Sequence, residues 1–327
     1  MKKLLLILLC LPLIGFGQNV NIPDANFKAY LVGNTAINTN GDTEIQLSEA
    51  NAFNGTINCS YLNISDLTGI ETFTALTELE CFANQLTILD VSQNSALTYL
   101  NCNYNQLTSL DVSNNTALTY LYCEPAGIFN QLTSLDISNN INLNTLICRN
   151  NQLTSLDISN NINLNTLICP NNQITSLDVS NNTNLGTLWC YSNQLTSLDV
   201  SNNTNLGLLD CNNNQLTSLN VRNGNNNGLF QSLGLYEFNV ANNPNLNCIN
   251  VDDSTWSATN WTVANSNIDP QHYFSNNCSG TTDIEEHSTN KELLKVTDLL
   301  GRETKQTNQP LFYIYDDGTV EKRIVIE

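Results

Sequence analysis

The sequence predicts a β-rich solenoid of stacked coils, with short or no helices on its convex side and a small all-β domain at the C-terminal end. Leucines recur at fixed positions with a period of 21 residues, polar and apolar residues alternate at the start of each period, and the remainder is rich in Asn, Ser and Asp. Each coil has an apolar edge that it cannot bury alone, so neighbouring coils must stack.

One repeat unit begins at Leu97, 21 residues before the next unit opens at Leu118, and its first strand contains Leu100 and Cys102. Seven such units open at Leu76, Leu97, Leu118, Leu143, Leu164, Leu185 and Leu206. Their opening matches L-x-x-L-x-L-x-x-N-x-L with Cys in place of the third Leu, and it resembles the bacterial leucine-rich-repeat family from about Cys59 to Val251. The resemblance implies one short parallel strand per 21-residue leucine-rich repeat.

Four columns of side chains are expected to run through the stack. Leu and Cys, two positions apart in each strand, point inward together. An Asn column lies where each strand bends, and its amides should satisfy the backbone of that turn. An Asp column on the convex side should accept hydrogen bonds from the following Ser-Asn turn. Its members are Asp90, Asp111, Asp136, Asp157, Asp178 and Asp199.

Most of the cysteines are predicted to be buried free thiols. Parallel strands in register present poor disulfide geometry, and one thiolate per coil cannot converge four ligands on a metal ion. The predicted column contains Cys59, Cys81, Cys102, Cys123, Cys148, Cys169, Cys190 and Cys211. Cys248 falls one place before the inward Ile249, so it should face outward, and we expect a disulfide with Cys278 that closes a C-terminal cap.

The ends of the chain differ from the repeats. Residues 1–17 read as a signal peptide, because Lys2 and Lys3 precede an apolar run and a small-x-small cleavage site; a lipoprotein site at Cys10 is the poorly matched alternative. We then expect an N-terminal cap over 18–75, the solenoid over 76–245, the C-terminal cap over 246–278 and a polar linker over 279–290. No later segment has the length and apolar character of a membrane span.

Residues 291–327 predict paired strands, with a hairpin turn at Asp317-Gly318. The segment Asp298-Leu-Leu-Gly-Arg302 and the terminal strand resemble the C-terminal sorting domain of the type IX secretion system of Bacteroidetes, in a shortened form. The resemblance implies that the secretion machinery is a partner and that the protein is secreted or attached to the outer cell surface. An ordinary small β domain is the alternative.

The N-terminal cap contains a segment that resembles an EF-hand calcium loop. Its candidate ligands are Asn38, Asn40, Asp42, Glu44 and Glu49, and calcium is the candidate cofactor. Thr43 stands where the motif normally has Gly, and Asn replaces two of the usual acids. The alternative interpretation is an Asn/Gly turn that caps a helical turn at Leu47 to Asn51.

Charge and motifs narrow the classes of function. A formal charge of -19 makes nucleic acid and anionic lipid poor partners, because both would be repelled. The two histidines, His272 and His287, have no catalytic motif around them, and the obvious carboxylates recur in every coil, so we expect a protein that is not an enzyme.

Outward strand positions that break the repeat are the candidate binding surface, because packing does not fix them. The candidate ligand-binding residues are Tyr99, Tyr120, Tyr122, Arg149, Trp189 and Tyr191. Exposed aromatic stripes often bind a protein or a polysaccharide, although β-propensity alone also favours Tyr and Trp on a strand. Two functions remain: a binding or adhesion protein, and a passive structural component of the cell surface. A four-residue insertion between Cys123 and Asn130 places the expected binding centre near Tyr120 and Tyr122.

Overall fold

The computed structural model describes residues 18–125, 132–227, 238–278, 293–297, 302–304, 310–315 and 320–324. The predicted signal peptide, most of the insertion after Cys123 and the linker lie outside these residues. Within them, the chain forms two compact units whose boundary falls between Cys278 and Ser279.

The strand side of the solenoid is a parallel sheet with one short strand per coil, as the repeat predicts. Its strands, in spatial order, are β1 (Thr56–Asn58), β2 (Glu78–Glu80), β3 (Tyr99–Asn101), β4 (Tyr120–Tyr122), β5 (Thr145–Ile147), β6 (Thr166–Ile168), β7 (Thr187–Trp189), β9 (Leu208–Asp210) and β11 (Phe238–Asn239). Equivalent residues pair in register, for example Leu79 with Leu100 and Leu100 with Leu121. The register aligns each repeat position into a column along the sheet.

The other side of the coils contains extended segments and tight turns, as expected from its Asp, Ser and Asn content. Near the C-terminal end these segments pair into a second sheet with the order β13 (Tyr273–Ser275), β12 (Cys248–Asn250), β10 (Ser218–Asn220) and β8 (Ser197–Asp199). The Asp column behaves as predicted: Ser113 N donates to Asp111 Oδ1 at 2.9 Å, and Ser159 N donates to Asp157 Oδ1 at 2.9 Å.

The interior is formed by the predicted Leu and Cys columns. All eight column cysteines are buried and unpaired, and burial raises the pKa of the Cys102 and Cys169 thiols to about 12. The predicted Asn column also holds its turns. Asn172 is typical: its Nδ2 donates to the carbonyls of Cys148 and Cys169, and its Oδ1 accepts from Leu153 N at 3.0 Å. Asn130, the member in the insertion coil, lies outside the described residues.

A second asparagine ladder, in segments whose sequence predicts only turns, runs through the opposite side of the coils. Its members Asn94, Asn115, Asn140, Asn161, Asn182 and Asn203 are fully buried. Each Nδ2 donates to two backbone carbonyls of the preceding coil; for Asn182 these are Ile158 O at 3.0 Å and Asn161 O at 2.9 Å. The available signal was the Asn two residues after each Ser, because it is the same in all six coils while the residue after it varies.

The N-terminal cap contains the helices α1 (Ala25–Gly33) and α2 (Leu47–Ala52) and a 3₁₀ helix at Ile70–Thr72. Asp24 caps α1 by accepting from Asn26 N and Phe27 N. The hydroxyl of Tyr30 accepts from Asn58 N at 2.9 Å, so α1 contacts the first strand of the sheet.

The C-terminal cap is built around helix α3 (Ser254–Asn260) and the buried Trp261. The ring of Trp261 stacks on Phe238 with centroids 3.9 Å apart, and Trp256 meets it edge-on at 5.5 Å. These aromatic contacts cover the apolar end of the stack, which a further coil would otherwise bury.

The C-terminal unit contains an antiparallel sheet of three described strands, β14 (Leu293–Thr297), β15 (Pro310–Tyr315) and β16 (Val320–Ile324). The prediction of a small all-β tail is therefore confirmed. The residues of the predicted Asp317-Gly318 turn lie outside the described residues.

Candidate functional site

The outward side chains of β2 to β9 form one continuous surface, called here the strand face. Register pairing arranges them in two rows. One row contains Glu78, Tyr99, Tyr120, Thr145, Thr166, Thr187 and Leu208, and the other contains Glu80, Asn101, Tyr122, Ile147, Ile168, Trp189 and Asp210. Because their inward neighbours carry the packing, these side chains are free to differ from coil to coil.

Three of the candidate residues come together at β3 and β4. The ring centroid of Tyr99 lies 5.9 Å from that of Tyr120 and 5.4 Å from that of Tyr122, and the second contact is nearly perpendicular. Tyr120 is 39% exposed. Burial raises the pKa of both Tyr99 and Tyr122, so these phenols stay neutral and present apolar, π-rich surface at physiological pH.

Arg149, another of the candidate residues, is already paired with an acidic side chain. Its Nε donates to Glu124 Oε2 at 2.7 Å, and Asn150 Nδ2 donates to the other carboxylate oxygen at 2.8 Å. The Glu124 side chain is only 5% exposed, whereas that of Arg149 is 37% exposed. Sequence reasoning missed Glu124, although the signal existed: at this repeat position, consecutive coils carry an acid and then a base.

The remaining candidates, Trp189 and Tyr191, form a separate group on β7 and just after it. Two strands, β5 and β6, lie between β4 and β7 and carry Thr and Ile on this face. Trp189 is half-buried, and its indole Nε1 is enclosed without a hydrogen-bond partner in the protein. The strand face therefore has two aromatic groups rather than one stripe.

Further aromatic side chains line the edge where the strands of the first coils end: Phe82, which the sequence places beside the strand face, and Tyr61 and Tyr104, which sequence reasoning missed. Tyr61 and Phe82 are in edge-to-face contact with centroids 4.6 Å apart, and Tyr104 is 41% exposed. Tyr61 and Tyr104 both have positive φ angles of 59° and 55°, as do Asn and Ser at the same turn in later coils. Tyr at a turn position that favours Asn was the signal that could have identified them.

The predicted calcium loop forms a compact turn in which most ligand oxygens have protein partners. Asn38 Oδ1 accepts from Gly41 N, Asn40 Oδ1 from Asp42 N, and Asp42 Oδ1 from Glu44 N. Glu44 also forms an ion pair with Lys28 at 2.7 Å.

Glu49 is the residue on which the loop depends. Its Oε1 accepts from Thr39 N and Asn40 N, and its Oε2 accepts from Gln46 N, which completes a capping box for α2. Among the described residues, no group of three or more His, Cys, Asp or Glu is placed to hold a metal ion. The geometry accords with the turn interpretation, and calcium binding stays a prediction.

The disulfide prediction agrees with the structure. Cys248 and Cys278 are bonded, with Cα atoms 5.7 Å apart, and Cys248 is half-exposed beside the buried Ile249. The bond joins β12 to the residue that ends the first compact unit. None of the described helices has the length and apolar character required to cross a bilayer.

Comparison with solved structures identifies the architecture. An internalin, InlF of Listeria monocytogenes, matches with a TM-score of 0.50 and 20% identity over 80% of this chain and 94% of its own. The chain has the leucine-rich-repeat fold. This leucine-rich-repeat chain also matches the functional domain of InlJ from the same organism, a domain that includes a cysteine ladder, with a TM-score of 0.42 and 31% identity over 72% of this chain and 66% of InlJ. Internalin C2 matches with a TM-score of 0.48 and 20% identity, over 72% of this chain and 97% of its own. No protein-family model and no curated protein matches the sequence.

Proposed function

We propose that this leucine-rich-repeat chain is a secreted or surface-attached binding and adhesion protein that recognises a protein or a glycan through its strand face. The observation that carries the proposal is the contact group of Tyr99, Tyr120 and Tyr122 on β3 and β4. The equivalent outward positions of β5 and β6 carry Thr and Ile. Solenoids commonly bind partners along such extended surfaces, and exposed aromatic side chains contribute much of the energy at interfaces.

The proposal does not include catalysis. The regular carboxylates of the Asp column are occupied by backbone donors of their own turns. His272 is buried in the C-terminal cap, where it bonds to backbone atoms. We therefore assign binding, and not an enzymatic reaction, to this chain.

Export completes the proposal. Residues 1–17 would direct the chain across the inner membrane, and residues 291–327 would direct it through the type IX secretion machinery to the cell surface. Deleting 291–327 should leave a folded repeat domain in the periplasm, measured by protease accessibility of intact cells and by fractionation. Unchanged surface exposure after the deletion would remove the sorting role.

The binding role can be tested by blocking the strand face at one site. The eight column thiols are buried, so they should not react with maleimide in the folded protein. A variant with Thr166→Cys on the strand face, prepared without residues 1–17 and therefore without Cys10, then takes a single polyethylene glycol chain. The matched control is Thr154→Cys, which places the same chain on an exposed position of the opposite side.

We expect a screen against purified extracellular proteins and polysaccharides to find a saturable ligand. Modification at position 166 should abolish its binding, while modification at position 154 should leave it intact. Equal binding by both modified variants would place the site elsewhere. Binding of nothing in the screen would favour the passive structural component.

A further inference from the structure

The tyrosine group of the strand face adjoins a pair of carboxylates, and together they form what we call the acid–aromatic cluster: Glu78, Glu80, Tyr99, Tyr120 and Tyr122. Register pairing places Glu78 directly beside Tyr99 on the neighbouring strand, and Tyr99 beside Tyr120. Glu78 is exposed and Glu80 is half-buried. Burial and the neighbouring Tyr122 raise the pKa of Tyr99. The negative charges of Glu80 and Glu78 raise it further, because both carboxylates lie close to the Tyr99 hydroxyl.

The charge of this region is one-sided. No Lys, Arg or His occurs between Lys28 and Arg149, while that stretch contains eleven Asp and Glu residues. The two flanking basic residues are engaged elsewhere, Lys28 with Glu44 and Arg149 with Glu124, each at 2.7 Å. Thr56 Oγ1 donates to Glu78 Oε2 at 2.7 Å, so this contact to the carboxylate comes from a neutral hydroxyl and not from a cation.

We propose that the partner of the strand face is a basic protein segment that inserts a Lys or Arg side chain into the acid–aromatic cluster. The inference rests on the proposed binding function and names the chemistry of its ligand. Aromatic rings attract a cation over their faces, and carboxylates beside them pair with the same cation through charge-assisted hydrogen bonds. The aliphatic stem of Lys or Arg packs on the ring surface while the charged head reaches the carboxylates.

Two other ligand classes fit less well. An anionic glycan would be repelled by Glu78, by Glu80 and by the net charge of -19. A neutral glycan could stack on the tyrosines, but it would gain nothing from the carboxylates beyond ordinary hydrogen bonds. A basic segment uses both components of the cluster, and the long-range field of the chain accelerates its association.

The test uses the full-length protein and a fluorescently labelled octalysine peptide, with the fully acetylated peptide as the uncharged probe. The first variant is Glu78→Gln/Glu80→Gln. Its control is Asp157→Asn/Asp178→Asn, which changes the net charge by the same amount on the opposite side and keeps an oxygen for each serine N–H. The second variant is Tyr99→Leu/Tyr122→Leu, with Tyr273→Leu, an exposed tyrosine of the second sheet, as the aromatic control. Circular dichroism checks the fold of each.

We expect the octalysine peptide to bind and the acetylated peptide not to bind. The glutamate variant should bind octalysine about 5- to 20-fold more weakly, and the tyrosine variant about 3- to 10-fold more weakly, while both controls change it less than about twofold. Equal weakening by the two charge variants would show diffuse attraction and overturn the proposal. Binding of the acetylated peptide as tightly as octalysine would overturn it as well.

The modified Thr166→Cys and Thr154→Cys proteins separate failure of this inference from failure of the proposed function. A ligand from the screen that is blocked only by modification at position 166, yet is unaffected by the glutamate and tyrosine variants, would refute the basic partner and retain strand-face binding. Octalysine binding that both modified proteins retain in full would refute the basic partner, and equal binding of the screen ligand by both modified proteins would refute strand-face binding.

Discussion

The coils and the caps of this solenoid are held together by different kinds of interaction. Each coil repeats the same bonds to its neighbour, namely the Leu and Cys packing and the two asparagine ladders. The caps rely on interactions that occur once, including the Cys248–Cys278 disulfide, the Trp261 aromatic stack and the capping box at Glu49. A terminal coil has a neighbour on one side only, so sequence that repeats cannot close the ends.

The largest effect should come from the buried asparagine ladder. Replacing Asn182 by Ala leaves the carbonyls of Ile158 and Asn161 buried without their donor, so we expect a loss of about 2 to 4 kcal/mol in the free energy of unfolding. The adjacent Asn181 is exposed, and Asn181→Ala should cost less than about 0.5 kcal/mol. Chemical denaturation of the two variants measures the difference. Equal stabilities would mean that the ladder contributes no more than an exposed turn residue.

In the C-terminal cap, the disulfide should contribute nearly as much. It closes a loop with a sequence separation of 30, so the Cys248→Ser/Cys278→Ser variant should lose about 2 to 4 kcal/mol. Native-state hydrogen exchange should locate the loss in 246–278 and leave the central coils protected. Reductant should destabilise the parent protein and not the variant. A uniform loss of protection along all coils would contradict the separation of caps from coils.

The same cap should be sensitive to mild acid through His272. Its Nδ1 accepts from Asp269 N at 3.1 Å, which requires an unprotonated nitrogen, and burial lowers its pKa, opposed by the Asn243 carbonyl and the Asp269 charge. A lowered folded-state pKa means that the contribution to stability is present above the unfolded value of about 6.5 and is lost as the pH falls below it. Thermal unfolding between pH 7.5 and 5 should therefore show a fall in Tm that His272→Gln reduces, smaller than the effect of removing the disulfide. Identical pH profiles for the two proteins would refute the role of His272.

The smallest effect concerns the N-terminal cap and its predicted calcium loop. A weak extracellular-type site, at a calcium concentration ten times its Kd, would stabilise the cap by about 1.4 kcal/mol. Calcium should therefore raise the Tm of the parent protein and leave the Tm of the Glu49→Gln variant unchanged. Magnesium at the same concentration is the control ion. Glu49 already accepts three backbone N–H groups, so the variant must first be shown to fold. If calcium does not change the Tm of the parent protein, calcium binding is refuted and only the turn interpretation remains.

The sequence by itself determined the architecture and most of the interior. A 21-residue period with two inward positions per strand predicts coils stacked in register. In-register stacking accounts for the Leu and Cys columns, the Asp hydrogen bonds and the outward position of Cys248. Periodic sequence is informative because one coil constrains all the others. The positions of Tyr99, Tyr120 and Tyr122 on a common face follow from the same register.

Only the tertiary structure decided what happens between side chains that do not repeat. The ion pair that engages Arg149 with the buried Glu124, the division of the aromatic residues into two groups, and the occupied oxygens of Glu49 all depend on distances between particular atoms. The second asparagine ladder also needed the fold, because an Asn in a Ser-Asn-Asn turn reads as exposed until the preceding coil brings two carbonyls to it. The position of a residue in the repeat predicts whether its side chain points inward or outward. Its hydrogen-bond and ion-pair partners depend on residues of other coils, which only the tertiary structure brings within bonding distance.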